Sequence, residues 1–150
     1  MKITSRQAVA ADITTIAMFN QSMAKETENK LLATKTIMAG VEHMVGNTDL
    51  GFYLVAEAEG GVVGCLGITF EWSDWRNGLF WWIQSVFVDK DYRGQGAFRH
   101  LYDHVSRLAK AESNVCGIRL YVEDDNTGAQ QTYAALGMKE TSYKLLEVEF

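Results

Sequence analysis

The sequence contains no proline and only two cysteines among its 150 residues. Without proline, turns and helix ends must be made by Gly, Asn and Asp, which tolerate the backbone conformations needed there. Cys65 and Cys116 both lie in apolar stretches, and they fit neither a disulfide framework nor a zinc-ligand spacing. The three histidines show no metal-ligand spacing with Cys or carboxylates either. We therefore expect two buried structural thiols and no metal site.

Long apolar runs and an excess of positive charge are also missing. No apolar stretch approaches the roughly 20 residues of a membrane span, and residues 1–6 do not resemble a signal region. The net charge of −5 does not attract nucleic acid or acidic membranes. The hydrophobic fraction of 47% and charged fraction of 22% are those of an ordinary globular chain. These features predict one soluble, cytoplasmic domain over residues 1–150, with neither nucleic acid nor membrane as partner.

The spacing of apolar residues predicts helices and strands in the order β-α-α-β-β-β-α-β-α-β. A first helix follows Asp12 as its cap, and a third helix follows residues 89–96. This order predicts an α/β fold with a central mixed sheet flanked by helices, in which strands 79–88 and 118–122 run parallel. The other expected segments are strands over 2–8, 52–57, 62–70 and 139–149, helices over 34–46 and 126–136, and a loop over 71–78.

A glycine-rich segment, Arg93-Gly94-Gln95-Gly96, joins a predicted strand to a predicted helix. Glycines allow the backbone to approach a ligand closely, and a helix N-terminus presents unpaired N–H groups to an anion. Arg93 and Arg99 add positive charge, so the segment is suited to a diphosphate. The alternative is a simple turn without a ligand. Neither a P-loop nor a dinucleotide fingerprint fits, because no Lys-Ser/Thr pair follows Gly96 and the third glycine is missing.

A second pattern places Asn126 at the start of the last predicted helix, Ala129 and Tyr133 on one face, and Gly137 at its end. Asn126 can cap the helix or reach a ligand. The small side chain of Ala129 leaves room beside the Tyr133 ring four residues later. The alternative is a capped amphipathic helix with a tyrosine in the core.

Together, Arg93-x-x-Gly96-x-Phe98 and the later Asn126, Tyr133 and Gly137 resemble the GNAT superfamily of acetyltransferases. The predicted element order matches that fold along the whole chain. Within the superfamily, residues 72–86 resemble a bacterial subgroup. Phe98 departs from the usual motif, which has Gly or Ala at that position. Its backbone N–H can still donate to phosphate, and its helical register directs the side chain toward the core.

The resemblance implies an N-acetyltransferase that uses acetyl-coenzyme A (acetyl-CoA) as co-substrate. A primary amine of a small molecule or peptide attacks the thioester directly, and Tyr133 is the general acid. Backbone N–H groups at a bulge in the third long strand, near Val86 to Val88, stabilise the oxyanion. Homodimers are frequent in this superfamily, so the resemblance also allows a homodimer. The implied cofactor-binding residues are Val86, Phe87, Val88, Arg93, Gly94, Gln95, Gly96, Ala97, Phe98, Asn126, Ala129 and Tyr133.

The acceptor side is less specific in sequence. Glu71 is a candidate base at the end of a strand, with Glu123 as an alternative. Glu26 and Glu28 follow the first helix and would attract a cationic amine, and for each of these carboxylates a solvated surface role is the other interpretation. Three further residues would line the acceptor site, namely Trp72, Trp75 and Gln84. The competing function is a non-catalytic acyl-CoA-binding or sensing module.

Overall fold

A computed structural model describes residues 2–150. The chain forms two compact units, residues 2–120 and Tyr121–Phe150, which are described separately. The single domain expected from the sequence stays a prediction. In the first unit the elements are β1 (Ile3–Gln7), α1 (Ile13–Glu28), α2 (Thr34–Val45), β2 (Gly51–Ala58), β3 (Gly61–Ser73), β4 (Gly78–Val88), α3 (Ala97–Ala111) and β5 (Val115–Leu120).

The five strands form one sheet in the order β1-β2-β3-β4-β5. All neighbouring pairs are antiparallel except β4 and β5, which are parallel. Helix α3 lies between those two strands in the sequence, as a parallel connection requires. The expected mixed, mostly antiparallel sheet flanked by helices is therefore confirmed.

The sheet has a hydrophobic core on each face. Helix α3 packs on one face through Leu101, Val105 and Ala109, which recur every four residues and are buried. Helices α1 and α2 cover the other face through a second cluster. That cluster contains Ile16, Ala17, Val41, Tyr53, Val55, Cys65 and Phe87.

Strand β4 is irregular where it nears its end. Gln84 pairs with Gly67 and Phe87 pairs with Cys65, so β4 carries one extra residue between these pairs. Ser85, with a φ of 54°, marks this β-bulge. The bulge reverses the inside–outside alternation, because Ile83 belongs to the α3-side cluster and Phe87 to the α1–α2-side cluster.

Two expected boundaries and one expected burial in the first unit are wrong. The loop expected over 71–78 is shorter, because β3 continues through Ser73 in register with Gly78. The strand expected over 118–122 is Val115–Leu120 and is only partly buried, since it lies at the edge of the sheet among the described residues. Cys116 is exposed, whereas Cys65 is buried as expected.

Asp12 does not cap α1 through its side chain, contrary to the expectation. Its carboxylate instead accepts bonds from the Arg6 guanidinium at 2.8 and 3.0 Å and from the Val9 N–H at 2.8 Å. Arg6 also donates to Glu57 at 2.6 Å. A nearly buried carboxylate thus joins β1, β2 and the entry to α1.

The second unit contains α4 (Thr127–Ala135). Gly137, with a φ of 91°, follows the end of this helix in the left-handed conformation expected for it. The strand expected over 139–149 is wrong, because this segment has no regular secondary structure. A segment whose sequence favours a β-strand forms one only when its backbone N–H and C=O groups pair with another strand. No partner strand pairs with the segment among the described residues.

None of the helices in the described part of the chain is long and apolar enough to cross a bilayer. Residues 2–150 also contain no group of three or more metal-ligating side chains that could hold an ion.

Candidate active site

The glycine segment forms an open backbone cradle at the N-terminus of α3. Gly94 and Gly96 have φ angles of 75° and 88°, which residues with a Cβ rarely adopt. Gly96 is the N-cap of α3 and supplies no side-chain bond to the first turn. A Cβ built on either glycine would meet nothing within 4 Å. The Cα positions of both glycines are therefore uncrowded, and a helix N-terminus of this kind is the type of site at which proteins bind anions.

The Arg93 side chain is anchored within the protein instead of extending toward that space. Its Nε donates to the carbonyl oxygen of Val88, the last residue of β4, at 2.8 Å. Its Nη2 donates to Glu26 Oε2, also at 2.8 Å. The guanidinium carbon lies 5.4 Å from the centre of the Phe87 ring. Three contacts thus fix one side chain at the base of the cradle.

The positive charge expected beside the cradle is largely offset by carboxylates. Glu26 pairs with Arg93, and Asp103 accepts from Arg99 Nε at 3.0 Å one helical turn away. Gln95 donates from its side chain to the Asp91 carbonyl at 3.1 Å. The groups that the cradle offers to an anion are therefore mainly backbone N–H groups of the loop and of the first turn of α3.

The first two residues of α3 secure the cradle to the core. Ala97 is buried, and Phe98 is partly buried against the cluster under α3. The Phe98 ring lies 6.1 Å from that of Tyr102, centre to centre. The expected inward direction of Phe98, the residue that departs from the usual motif, is confirmed.

The strand irregularity expected at Val86–Val88 lies at Ser85 and Val86, slightly earlier in the chain. The Cys65 thiol donates to the Ser85 carbonyl at 3.3 Å. Burial raises the pKa of this thiol to about 12, so Cys65 stays protonated and supports the bulge. An irregular strand leaves backbone groups outside the regular ladder, and such groups can serve a ligand.

Glu71, the candidate base, is part of a cluster across three strands. One of its oxygens, Oε1, accepts from Trp82 Nε1 at 3.1 Å and from Arg119 Nη1 at 2.9 Å. The Arg119 guanidinium also lies 3.6 Å from the centre of the Phe80 ring. Sequence reasoning missed Arg119, because it is 48 residues from Glu71 and only the registers of β3 with β4 and of β4 with β5 bring them together.

The structure separates the residues expected to line the acceptor site. Glu71 and Trp82 share a hydrogen bond on one face, and Gln84 donates to Thr69 at 3.4 Å on that face. Trp72 is the next residue after Glu71, so strand alternation directs it to the opposite face. Trp75 lies in the turn after β3 and is 87% exposed. Trp72 and Gln84 therefore lie on opposite faces of the sheet and cannot line one acceptor site together.

Glu26 and Glu28 lie in the last turn of α1 instead of after it. Glu26 is engaged with Arg93. Two residues correspond to a rotation of about 200° around a helix, so Glu28 points away from this pair. The two carboxylates do not form a joint acidic site.

The second unit holds the remaining candidate residues. Asn126 Oδ1 accepts from the Ala129 N–H at 3.1 Å, which confirms its capping role at the start of α4. Tyr133 lies in the same helix and is partly buried. Burial raises the pKa of its phenol above the usual value, so the group stays protonated at neutral and mildly alkaline pH.

Comparisons with known proteins agree with this architecture. A family model described as Acetyltransferase (GNAT) family matches residues 16–138. The chain belongs to the GNAT acetyltransferase family, and it is accordingly an acyltransferase. Comparison with curated proteins gives no match.

Solved structures give the same fold. A possible acetyltransferase from Clostridium difficile 630 is 42% identical, with a TM-score of 0.93 over 100% of this chain and 99% of that one. A predicted acetyltransferase with acetyl-CoA from Clostridium acetobutylicum has 19% identity and a TM-score of 0.79, covering 99% of this chain and 96% of that one. AAC(6')-Iy, in complex with the bisubstrate analogue CoA-S-monomethyl-acetylneamine, has 16% identity and a TM-score of 0.78, covering 100% and 99%. The last two show likeness of fold alone.

Proposed function

We propose that this protein transfers an acetyl group from acetyl-CoA to a primary amine of a small molecule or peptide by direct attack. The observation that carries the proposal is the open cradle of Gly94 and Gly96 at the N-terminus of α3, directly after a bulged strand. Membership in the GNAT family supports acetyl transfer in general. Two of the similar folds contain acetyl-CoA or a CoA-based bisubstrate analogue.

The cofactor would be held chiefly by backbone groups. The N–H groups of Gly94 to Phe98 would donate to the diphosphate, aided by the partial positive charge of the helix N-terminus. Arg93 and Gln95 would shape the loop, since their side chains already bond to Val88 and Asp91. In the second unit, we assign Asn126, Ala129 and Tyr133 to the cofactor, as the family resemblance implies.

Bound acetyl-CoA would supply the acetyl group as an activated thioester. Backbone N–H groups between Val86 and Val88 would donate to the carbonyl oxygen as it gains negative charge. Tyr133 would give its phenolic proton to the leaving thiolate. A phenol has an ordinary pKa near 10 against about 8.5 for a thiol, and burial raises that of Tyr133 further, so its proton is present when needed.

A base must remove a proton from the acceptor amine, because an alkylammonium with a pKa near 10 cannot attack. We propose Glu71 for this role, directly or through water. Its Oε1 already accepts two hydrogen bonds, so the proton would go to Oε2. Gln84 cannot act as a base. It would contribute a polar contact on the same face, while Glu28 and Trp75 remain candidates for acceptor contacts at the surface.

The test of this function is amine-dependent release of free CoA thiol. Purified protein is mixed with acetyl-CoA and a panel of amines that includes polyamines, amino sugars, amino acids and short peptides. We expect thiol release above the amine-free control with at least one class. Tight acetyl-CoA binding without amine-dependent release across the panel would instead favour a non-catalytic acyl-CoA-binding module.

A further inference from the structure

We propose that Glu26 is a positioning residue for the cofactor cradle, acting through its ion pair with Arg93. This latch, defined as the Glu26–Arg93 pair, rests on the proposed use of residues 93–98 as the diphosphate site. It gives Glu26 a role on the cofactor side and removes it from the acceptor site.

The first argument is the geometry of Arg93. A guanidinium is a rigid planar fork, so bonds from two different nitrogens fix its orientation. Here Nε is held by the Val88 carbonyl and Nη2 by Glu26 Oε2, both at 2.8 Å. The Arg93 side chain therefore links the end of β4 to the last turn of α1. The cradle begins at the next residue, Gly94.

The second argument is that α1 meets the end of β4 through an apolar contact as well. Phe19 of α1 packs on Phe87 with ring centres 4.9 Å apart, and Phe87 in turn lies beneath the Arg93 guanidinium. The latch and the aromatic contact therefore connect α1, the end of β4 and the cradle to one another. The position of α1 and the order of the glycine loop are coupled through it.

The third argument is electrostatic. A carboxylate near a diphosphate site opposes anion binding unless it has another task. If Glu26 were only a surface charge, its neutralisation would leave acetyl-CoA affinity unchanged or raise it. If Glu26 holds Arg93, its neutralisation loosens the cradle and lowers affinity. Only the role in holding Arg93 therefore predicts a loss of acetyl-CoA affinity.

The latch pair is nearly half exposed on both sides, 45% for Arg93 and 46% for Glu26. Exposed pairs contribute little to overall stability. We therefore expect Glu26→Gln to leave the melting temperature nearly unchanged. Its effect should concentrate on the loop, which contains two conformationally permissive glycines and few other side-chain contacts.

The experiment compares Glu26→Gln with Glu28→Gln by calorimetric titration with acetyl-CoA. Glu28 is the matched control, since it removes the same charge from the same helical turn without touching Arg93. We expect about a three- to fivefold loss of acetyl-CoA affinity for Glu26→Gln and none for Glu28→Gln, the scale of an exposed ion pair. Arg93→Lys should lose affinity too, and adding Glu26→Gln to it should cost little more.

Amide hydrogen exchange and the KM for the amine provide two further tests of the latch. Amide hydrogen exchange of the unliganded protein should be faster over residues 93–97 in Glu26→Gln than in Glu28→Gln. With an active amine, Glu26→Gln should leave the KM for that amine unchanged at saturating acetyl-CoA. Equal affinity and equal exchange in the two variants would overturn the latch, as would a raised amine KM with unchanged acetyl-CoA affinity.

Results that contradict the proposed function can be distinguished from results that contradict only the latch. If wild-type protein does not bind acetyl-CoA, or binds it equally well after disruption of Gly96, the cradle assignment itself is wrong. If Gly96 is required and Glu26 is not, the cradle stands and only the latch is overturned.

Discussion

At the scale of single residues, ion pairing decides what several charged side chains can do. Arg93 donates hydrogen bonds to Glu26 and to the Val88 carbonyl, so its guanidinium holds the loop in place and is not a free cation. Glu71 is tied to Arg119 and Trp82 through one oxygen. The chemistry of a carboxylate or guanidinium therefore depends on its partners as much as on its own charge.

Tyr133→Phe should lower turnover about 10²-fold while leaving acetyl-CoA affinity unchanged, the scale of a lost general acid. Burial raises the pKa of Tyr133 above its usual value near 10. Ionisation of this phenol should therefore cause no loss of rate below about pH 10. The measurements are steady-state kinetics and calorimetric titration. Tyr143→Phe is the control, because Tyr143 lies in the same unit and is 71% exposed. Unchanged turnover, with chemistry shown to limit the rate, would remove Tyr133 from this role.

At the scale of elements, the strand–loop–helix from β4 to α3 carries the proposed cofactor site in the first part of the chain. The bulge ends the regular ladder of β4, and the two glycines turn the chain into α3. Buried Ala97, Leu101 and Val105 hold the helix against the sheet. The N-terminus of α3 is therefore held firmly, while the loop before it stays open to a ligand.

Gly96→Val should abolish measurable acetyl-CoA binding by calorimetry. A left-handed residue with a Cβ costs about 1–2 kcal/mol, and the added side chain would project into the open space of the cradle. Gly60→Val is the matched control, because Gly60 has a φ of 80° with equally open surroundings in the β2–β3 turn. Both variants should lose similar stability, but only the first should lose affinity. Equal affinity in both would sink the cradle assignment.

Some features of these elements were predictable and some were not. The helix after residues 89–96 is a local signal, and its prediction is confirmed. Gly94 and Gly96 have the positive φ angles that a close turn requires, while their use as a diphosphate site stays a prediction. The observed ends of β3 and β5 differ from the predicted ones. Strand ends depend on pairing with neighbouring strands, and this pairing cannot be read from the local sequence. The sequence analysis assigns both Trp72 and Gln84 to the acceptor site, but strand alternation places Trp72 on the other face of the sheet from Glu71.

At the scale of the molecule, the Asp12 cluster joins three elements of the first unit. Arg6 of β1 bonds to Asp12 at the entry to α1 and to Glu57 of β2. The bond from Arg6, with help from the Val9 N–H, holds the pKa of Asp12 below its usual range although burial opposes this. Folding therefore favours the ionised carboxylate.

Asp12→Asn should lower the free energy of unfolding by about 1–3 kcal/mol at pH 7, the cost of an unsatisfied buried partner. Because the folded pKa is lowered, the stabilisation is present above the ordinary carboxyl pKa of about 3.9 and is lost as pH falls from about 5 through the folded value. The variant should lose part of this acid dependence. Denaturant melts from pH 2 to 7 measure it, with Asp103→Asn as an exposed ion-pair control. An identical pH profile in wild type and Asp12→Asn would contradict the prediction.

The sequence by itself determined the fold class, the glycine turn into α3, and the cap of α4 by Asn126. The turn and the cap depend on residues within a few positions of one another, and the fold class follows from the order of such local elements along the chain. The tertiary structure decided the partners of Glu26 and Glu71, which lie 67 and 48 residues away. The physical reason is that helix packing and strand register, and not local spacing, determine which distant charges meet.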